Sequence, residues 1–157
     1  MGIEVRDAVH DDAEAMCVVL RRSIKELCAS NHKDDPETLD AWLSNKTPEN
    51  VRSWIDSPDQ RVLVAVDGDE ICGVGAAAAN GEILLNYVSP DARFRGVSKA
   101  LLAQLEEHLR VSGLTAASLT STQTAHRFYL GAGYEDDGPP NTWRGGEVYQ
   151  MRKVLQP

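Results

Sequence analysis

The stretch Asp91–Leu109, DARFRGVSKALLAQLEEHL, joins a cationic turn to an apolar-striped segment. Apolar residues recur at every fourth position from Val97 to Leu109, which predicts a helix over 98–112 that ends at Gly113. Positive charge is concentrated where this helix starts, although the formal net charge of the chain is -8. The cations are Arg93, Arg95 and Lys99.

The start of this helix has the properties of an anion site. The first turn of a helix exposes unpaired N–H groups and a partial positive charge, and Gly96 lets the backbone approach a ligand closely. A phosphate or diphosphate is the ligand that fits, with a plain solvated turn as the alternative. The segment lacks the Walker pattern GxxxxGK[ST], and Gly73-Val74-Gly75 lacks the third glycine of a dinucleotide fingerprint. Those two glycines indicate instead a strand whose face must stay small.

The segments on either side predict a sheet with helices packed on it. Residues 61–67, 70–78 and 82–88 form a three-stranded meander, with turns at Asp67-Gly68 and Asn80-Gly81. A strand at 114–121, a helix at 124–132 and strands at 134–138 and 147–154 follow the central helix. Upstream lie a strand at 3–7, a helix capped by Asp11 or Asp12, and helices that begin at Asp35-Pro36 and Thr47-Pro48.

This order predicts an α/β (α+β) fold in one domain over residues 1–157. The sheet is mixed and mostly antiparallel, with roughly six to seven strands flanked by about four helices.

Composition excludes several classes of function. A pI near 4.9 argues against a protein that holds nucleic acid by phosphate contacts, and the sequence has no apolar run long enough for a membrane span. The N-terminal sixteen residues lack the features of a secretory leader. Three widely spaced cysteines, Cys17, Cys28 and Cys72, are expected to be reduced in a cytoplasmic protein, and no metal site is expected.

Two motifs together carry a resemblance to a known family. Arg93-x-x-Gly96-x-Ser98, after a strand and opening a helix, resembles the acetyl-CoA loop [QR]-x-x-G-x-[GA] of the GNAT N-acetyltransferases. The sequence TAHRFYLGAGY (124–134) resembles the second signature of that superfamily, FYxxxG[FY]. Ser98 departs from the last position of the loop pattern, but it is small and its hydroxyl could bond phosphate. The order of elements fits over nearly the whole chain.

The resemblance implies roles for individual residues. Tyr129 stands where the family places a tyrosine that protonates the leaving thiolate, although a phenol merely packed between sheet and helix is the alternative. Backbone N–H groups near Tyr87 and Val88 are candidates to bind the thioester oxygen and the pantetheine arm. The remaining cofactor-binding residues implied are Arg93, Phe94, Arg95, Gly96, Val97, Ser98, Lys99 and Thr122. For Thr122, a simple helix cap is the alternative.

The base is the least determined part of the predicted site. Glu82 precedes Arg93 by a spacing like that of a catalytic glutamate in some members, and strand alternation predicts that Glu82 and Asn86 share one face. Asn86 is a candidate to orient the substrate or a water molecule. A solvated residue after the Asn80-Gly81 turn is the alternative for Glu82, and many members of the family use no dedicated base.

The resemblance thus implies acetyl transfer from acetyl-CoA to a primary amine of a small molecule, by direct attack in a ternary complex. A protein or peptide N-acetyltransferase and a non-catalytic CoA-binding module are the alternatives. The expected partner is a small-molecule or peptide amine, with no nucleic acid and no membrane, and a homodimer is left open.

Overall fold

The computed structural model describes residues 2–156, which form eight strands and six α-helices. The strands are β1 (Glu4–Asp7), β2 (Gln60–Asp67), β3 (Glu70–Ala78), β4 (Glu82–Val88), β5 (Ala116–Thr122), β6 (Glu135–Asp136), β7 (Asn141–Trp143) and β8 (Gly146–Val154). The helices are α1 (Ala13–Leu27), α2 (Ala29–His32), α3 (Pro36–Leu43), α4 (Pro48–Asp56), α5 (Val97–Val111) and α6 (His126–Gly131).

All eight strands form one sheet in the order β1-β2-β3-β4-β5-β8-β6, with β7 also paired to β8. The pairs are antiparallel apart from β4 and β5, which run parallel. The predicted mixed, mostly antiparallel fold is confirmed. The strand count exceeds the expectation because the turn before β8 adds the three-residue β7. In the described part of the chain, no helix is both long enough and apolar enough to cross a membrane.

Both faces of the sheet are covered. On one face, α1 and α4 pack with the inward residues of β2 and β3, including Val64 and Val74, which are fully buried. On the other face, α5 places Leu101, Leu105 and Leu109 in a second core cluster together with residues of α6. Helix α5 therefore lies on the sheet with the apolar stripe that its sequence predicted.

Helix α5 sits unusually close to β3 because two glycines lie beneath it. A Cβ added at Gly73 would meet Val97 Cγ1 at 2.6 Å and Leu101 Cδ1 at 2.9 Å, and one at Gly75 would meet Leu105 Cδ1 at 3.1 Å. The prediction that these glycines mark a strand face that must stay small is confirmed. The start of α5, and with it the cationic loop, is thereby fixed against the sheet.

Strand β4 carries a bulge, and it corrects one sequence prediction. Ala76 pairs with Leu85 but Ala77 pairs with Ile83, so Leu84 is an extra residue in β4. The bulge breaks the alternation of side chains: Ile83 belongs to the core under α5, whereas Leu85 packs in the core under α1. Glu82 and Asn86 therefore point to opposite faces, and the expectation that they share one face is wrong.

The predicted helix caps are confirmed at two sites and replaced at a third. The N–H of Thr38 donates to Asp35 Oδ2 at 3.0 Å, and the N–H of Asn50 donates to Thr47 Oγ1 at 3.2 Å. Asp12 precedes α1 but does not cap it. Its carboxylate accepts instead from the Val9 N–H at 2.9 Å and from the guanidinium of Arg6.

We expect Gly73→Ala to lower the free energy of unfolding by about 1–3 kcal/mol, the usual cost of overpacking a core. The added methyl would push α5 off β3, and urea denaturation measures the loss. Gly131→Ala is the matched control, because nothing lies within 4 Å of a Cβ placed there. Equal stability of the two variants would show that α5 is not held by the close approach at Gly73.

Candidate active site

A gap in the sheet defines the candidate site. Strands β4 and β5 are paired at Glu82–Ser118 and Ile83–Leu119, and their described pairing stops there. Beyond Ile83 the strands separate, and cavities of about 310 Å³ and about 60 Å³ border the opening. Asn86, Tyr87 and Tyr129 line both cavities. A ligand can therefore meet these residues from either side of the gap.

The separation leaves one edge of β4 without a neighbouring strand. The N–H of Ser89 donates to Cys72 O of β3 at 2.8 Å, so by alternation the N–H of Tyr87 also faces β3. The N–H and C=O groups of Asn86 and Val88 then face the gap. Sequence reasoning had named Tyr87 and Val88 as backbone donors, and the register favours Val88 with Asn86. A strand edge of this kind binds amide-rich ligands.

The cationic loop closes the larger cavity at the start of α5. Gly96 has φ +79°, a left-handed conformation that suits glycine, and Val97 begins the helix. The first helical N–H bond recorded runs from Ala100 to Gly96 O at 2.9 Å, and within residues 2–156 no side chain caps the helix. The preceding N–H groups are thus directed to a ligand or to solvent.

The structure divides the predicted cations into two groups. Arg93 and Lys99 line the larger cavity together with Phe94, Gly96, Val97 and Ser98. Arg95 instead donates to Asp67 Oδ2 at 2.7 Å, in the turn between β2 and β3. Its guanidinium holds the loop against that turn, and Arg95 is not among the residues that line the larger cavity.

Tyr129 is placed by α6 against Asn86. Its side chain is 7% exposed, and burial raises the pKa of Tyr129 to about 12, with the neighbouring Asn86 side chain opposing part of the rise. Its ring packs edge-on against Phe128 at 5.1 Å and against Tyr134 at 5.6 Å between ring centroids. The phenol is therefore held protonated at neutral pH, in the state that a proton donor needs.

Asn86 carries the one buried polar side-chain atom without a partner in residues 2–156. Its Nδ2 donates to Ser98 O at 3.4 Å, while its Oδ1 accepts from no described group. Buried acceptors are nearly always satisfied, so an orphan in a cavity wall indicates that a bound donor completes it. Asn86 therefore lies in the cavity wall with an acceptor that no described group satisfies, and its predicted role in orienting a substrate or a water molecule stays a prediction.

Of two further predicted residues, Glu82 lies apart from this arrangement and Thr122 lies within it. Glu82 lies at the closed end of the gap, and it lines neither of the cavities that Tyr129 lines. Thr122 does line both cavities, but its Oγ1 also accepts from the N–H of Ala125 at 3.3 Å and so starts α6. The structure therefore brings together Tyr129, Asn86 and Thr122, and separates Glu82 from them.

Sequence reasoning missed the wall that α1 supplies. Ser23, Leu27 and Cys28 line the larger cavity opposite the loop. The signal was available in part, because Ser23 and Leu27 are four residues apart and share a helix face. Burial raises the pKa of Cys28 to about 12, which argues against a nucleophilic thiolate.

Asn31 is a second residue that the sequence did not reveal. It is 1% exposed, donates from Nδ2 to Glu147 O at 2.7 Å and accepts at Oδ1 from the N–H of Gln123 at 2.8 Å. One side chain thus ties α2 to β8 and to the segment after β5. No local pattern in the sequence identifies a bridge between residues so far apart.

A buried ionic group supports Tyr129 from behind. The Tyr134 hydroxyl donates to Glu106 Oε2 at 2.9 Å, and Lys153 Nζ donates to Glu106 Oε1 at 3.0 Å. Burial, and next the charge of Glu106, raise the pKa of Tyr134. The Glu106–Lys153 ion pair joins α5 to β8, and the hydrogen bond from Tyr134 to Glu106 fixes the ring against which Tyr129 packs.

Comparison with known proteins agrees with this geometry. Residues 28–155 match the model of the acetyltransferase (GNAT) domain family. The chain belongs to the GNAT acetyltransferase family. An IAA acetyltransferase of Azospirillum brasilense is 33% identical over 116 residues, which are 66% of this chain and 76% of the relative.

Solved structures share the fold across the whole chain. A GCN5-related N-acetyltransferase from Rhodopseudomonas palustris superimposes with a TM-score of 0.86 at 21% identity, covering 99% of this chain and 97% of that one. PaiA N-acetyltransferase from Thermoplasma acidophilum, in complex with coenzyme A, gives 0.83 at 22% identity, covering 98% and 99%. At these identities the likeness concerns the fold.

The GNAT fold binds acetyl-CoA, and the residues of this cavity fit that molecule. The uncapped N–H groups at the start of α5, with Arg93 and Lys99, suit a diphosphate. The open edge of β4 and the unpartnered Asn86 Oδ1 suit the amide groups of the pantetheine arm. Within the described residues, no group of three or more His, Cys, Asp or Glu side chains could hold a metal ion.

We expect the buried tyrosines to make the fold sensitive to high pH. Burial raises the pKa values of Tyr87, Tyr129 and Tyr134, whereas in an unfolded chain each phenol ionises near about pH 10. The native state then keeps protons that the unfolded state has lost. The contribution of these phenols to the free energy of unfolding is fully present below about pH 10, and it is lost as the pH rises through the native pKa values.

An alkaline titration followed by tyrosinate absorbance and circular dichroism measures this effect. The absorbance should stay low above about pH 10 and then rise together with the loss of helical signal. Full ionisation near the ordinary pKa with the helices intact would contradict the burial of these phenols.

Proposed function

We propose that this chain is an acetyl-CoA-dependent N-acetyltransferase that moves the acetyl group to a primary amine of a small molecule, by direct attack in a ternary complex. The observation that carries the proposal is the opening between β4 and β5. The opening exposes the edge of β4. This edge, the uncapped start of α5 and the buried Tyr129 all line one cavity of about 310 Å³.

The two cavities support direct transfer. The larger reaches from the loop and α5 to Tyr129, whereas the smaller opens on the other side of Asn86, Tyr87 and Tyr129. A donor in the first and an amine in the second would meet at the gap. In this proposal no residue takes the acetyl group as an intermediate carrier, and Cys28 in particular is kept as a thiol by its raised pKa.

Acetyl-CoA supplies an activated thioester, and the chain supplies hydrogen bonds at both of its ends. The N–H groups of Asn86 and Val88 face the gap, where one of them can bind the carbonyl oxygen as negative charge develops there. The N–H groups at the start of α5, with Arg93 and Lys99, hold the diphosphate and so fix the position of the arm.

Tyr129 acts at the leaving sulfur in this scheme. Its Oη donates a hydrogen bond to the thiolate as the C–S bond breaks and can pass its proton there, while the attacking nitrogen releases one proton to solvent and the phenol regains one from solvent. Because burial raises the pKa of Tyr129 to about 12, the phenol is protonated at neutral pH. The amine must arrive unprotonated, since a primary ammonium has a pKa of about 10.4.

The test of the proposal is a binding and turnover screen with the native chain. CoA should bind and raise the melting temperature, and acetyl-CoA should be consumed with one or more members of a pool of small primary amines. Acetylation of peptides but not of free amines would replace the small-molecule substrate with a protein substrate. Binding of CoA without transfer to any amine would indicate a regulatory module, and absence of CoA binding would overturn the proposal.

We expect Tyr129→Phe to lower kcat by about 100-fold, within the range typical of a lost general acid. The phenyl ring keeps its packing against Phe128 and Tyr134, so the affinity for CoA, measured by calorimetry, should stay within about twofold of the native value. Tyr149→Phe is the control, because that hydroxyl donates to Glu147 at the surface, at 2.7 Å. A parallel loss of affinity and turnover in Tyr129→Phe would contradict the assigned role.

A further inference from the structure

The backbone of Phe94 is strained, and packing within the fold does not account for this strain. The residue has φ +64°, a left-handed conformation that is a genuine outlier for a bulky side chain. Its side chain is 92% exposed, so its apolar ring gains little from burial. A glycine would adopt this backbone without strain, and a polar residue would suit the exposure. Strain of this kind, where folding does not require it, points to function.

The position of Phe94 is at the mouth of the larger cavity. It lies between Arg93 and Arg95 on the loop before α5, and it lines the cavity together with Gly96 and Ser98. The guanidinium carbon of Arg93 lies 4.6 Å from the centroid of the Phe94 ring. This contact steadies one side of the ring, while the exposure of the side chain leaves the rest of its surface to solvent.

In the proposed function, the nucleoside of CoA lies beside Phe94. With the diphosphate at the start of α5 and the acyl arm running along β4 to Tyr129, the opposite end of the molecule must leave the cavity across the loop. That end carries adenine, which is planar and aromatic. Bases stack on exposed aromatic side chains, and an arginine beside the ring strengthens such a platform.

We infer that the ring of Phe94 is a stacking platform for the adenine of CoA, steadied from its other side by Arg93. The inference rests on the proposed function, because it takes CoA as the ligand. It adds a role for a side chain that the loop pattern leaves unspecified. In this arrangement the loop binds the diphosphate through its backbone and the base through one aromatic ring.

Calorimetry with two ligands tests the platform. Phe94→Ala should weaken CoA binding by about tenfold, the order expected for one lost base stack. The affinity for 4′-phosphopantetheine, which lacks the adenosine with its 3′-phosphate and one phosphate of the diphosphate, should change by less than about twofold, measured by its displacement of CoA. Phe94→Trp should restore CoA binding, because it returns an aromatic face to the same place.

Phe94→Gly separates a binding role from a structural one. Glycine tolerates a positive φ, so the ligand-free variant should melt at the same temperature as the native chain or higher, while its CoA affinity falls as in Phe94→Ala. A residue that merely shaped the loop would give a lower melting temperature together with weaker binding of both ligands.

The outcomes distinguish this inference from the proposed function. If Phe94→Ala binds CoA as tightly as the native chain does, the stacking platform is overturned and the acetyltransferase proposal stays intact. Equal weakening of CoA and 4′-phosphopantetheine also overturns it, because the ring would then act on the loop and not on the base. Failure of the native chain to bind CoA overturns both.

Discussion

The parting of β4 from β5 is the constraint on which the site depends. A sheet normally pairs every strand along its length, because an unpaired buried N–H or C=O is costly. Here pairing is recorded at Ile83–Leu119 and not further along β4, which leaves the groups of Asn86 and Val88 facing an opening. In the proposed function, acetyl-CoA takes the place of the missing strand along β4.

Packing elsewhere holds the opening in a fixed shape. On one side, Gly73 and Gly75 let α5 rest directly on β3, which sets where the helix begins. On the other side, Glu106 binds both Tyr134 and Lys153, so that α5, β8 and the ring behind Tyr129 form one unit. Asn31 adds a tie from α2 to the same half of the sheet. The two ends of the cavity are thus positioned by the core rather than by the loops themselves.

The parts of the fold that follow local patterns were predicted well from the sequence. The apolar stripe of α5, the turns at Asp67-Gly68 and Asn80-Gly81 and the caps at Asp35 and Thr47 each depend on neighbouring residues. The bulge at Leu84 was not predicted, because an extra strand residue is recognised by its partner strand. It reversed the face assigned to Glu82. The pairing of Arg95 with Asp67 was missed for the same reason, since charge alone does not show where a long side chain turns.

The wall contributed by α1 bears on how relatives could diverge. The shared family region starts at residue 28, whereas α1 ends at Leu27. Yet Ser23 and Leu27 face the cavity, and Arg22 reaches Asp91 at 2.7 Å beside the loop. One wall of the cavity is therefore formed by a helix that precedes the matched family region. Changes in that one helix would reshape the cavity that the proposed function assigns to acetyl-CoA, while the loop and the start of α5 would keep their positions.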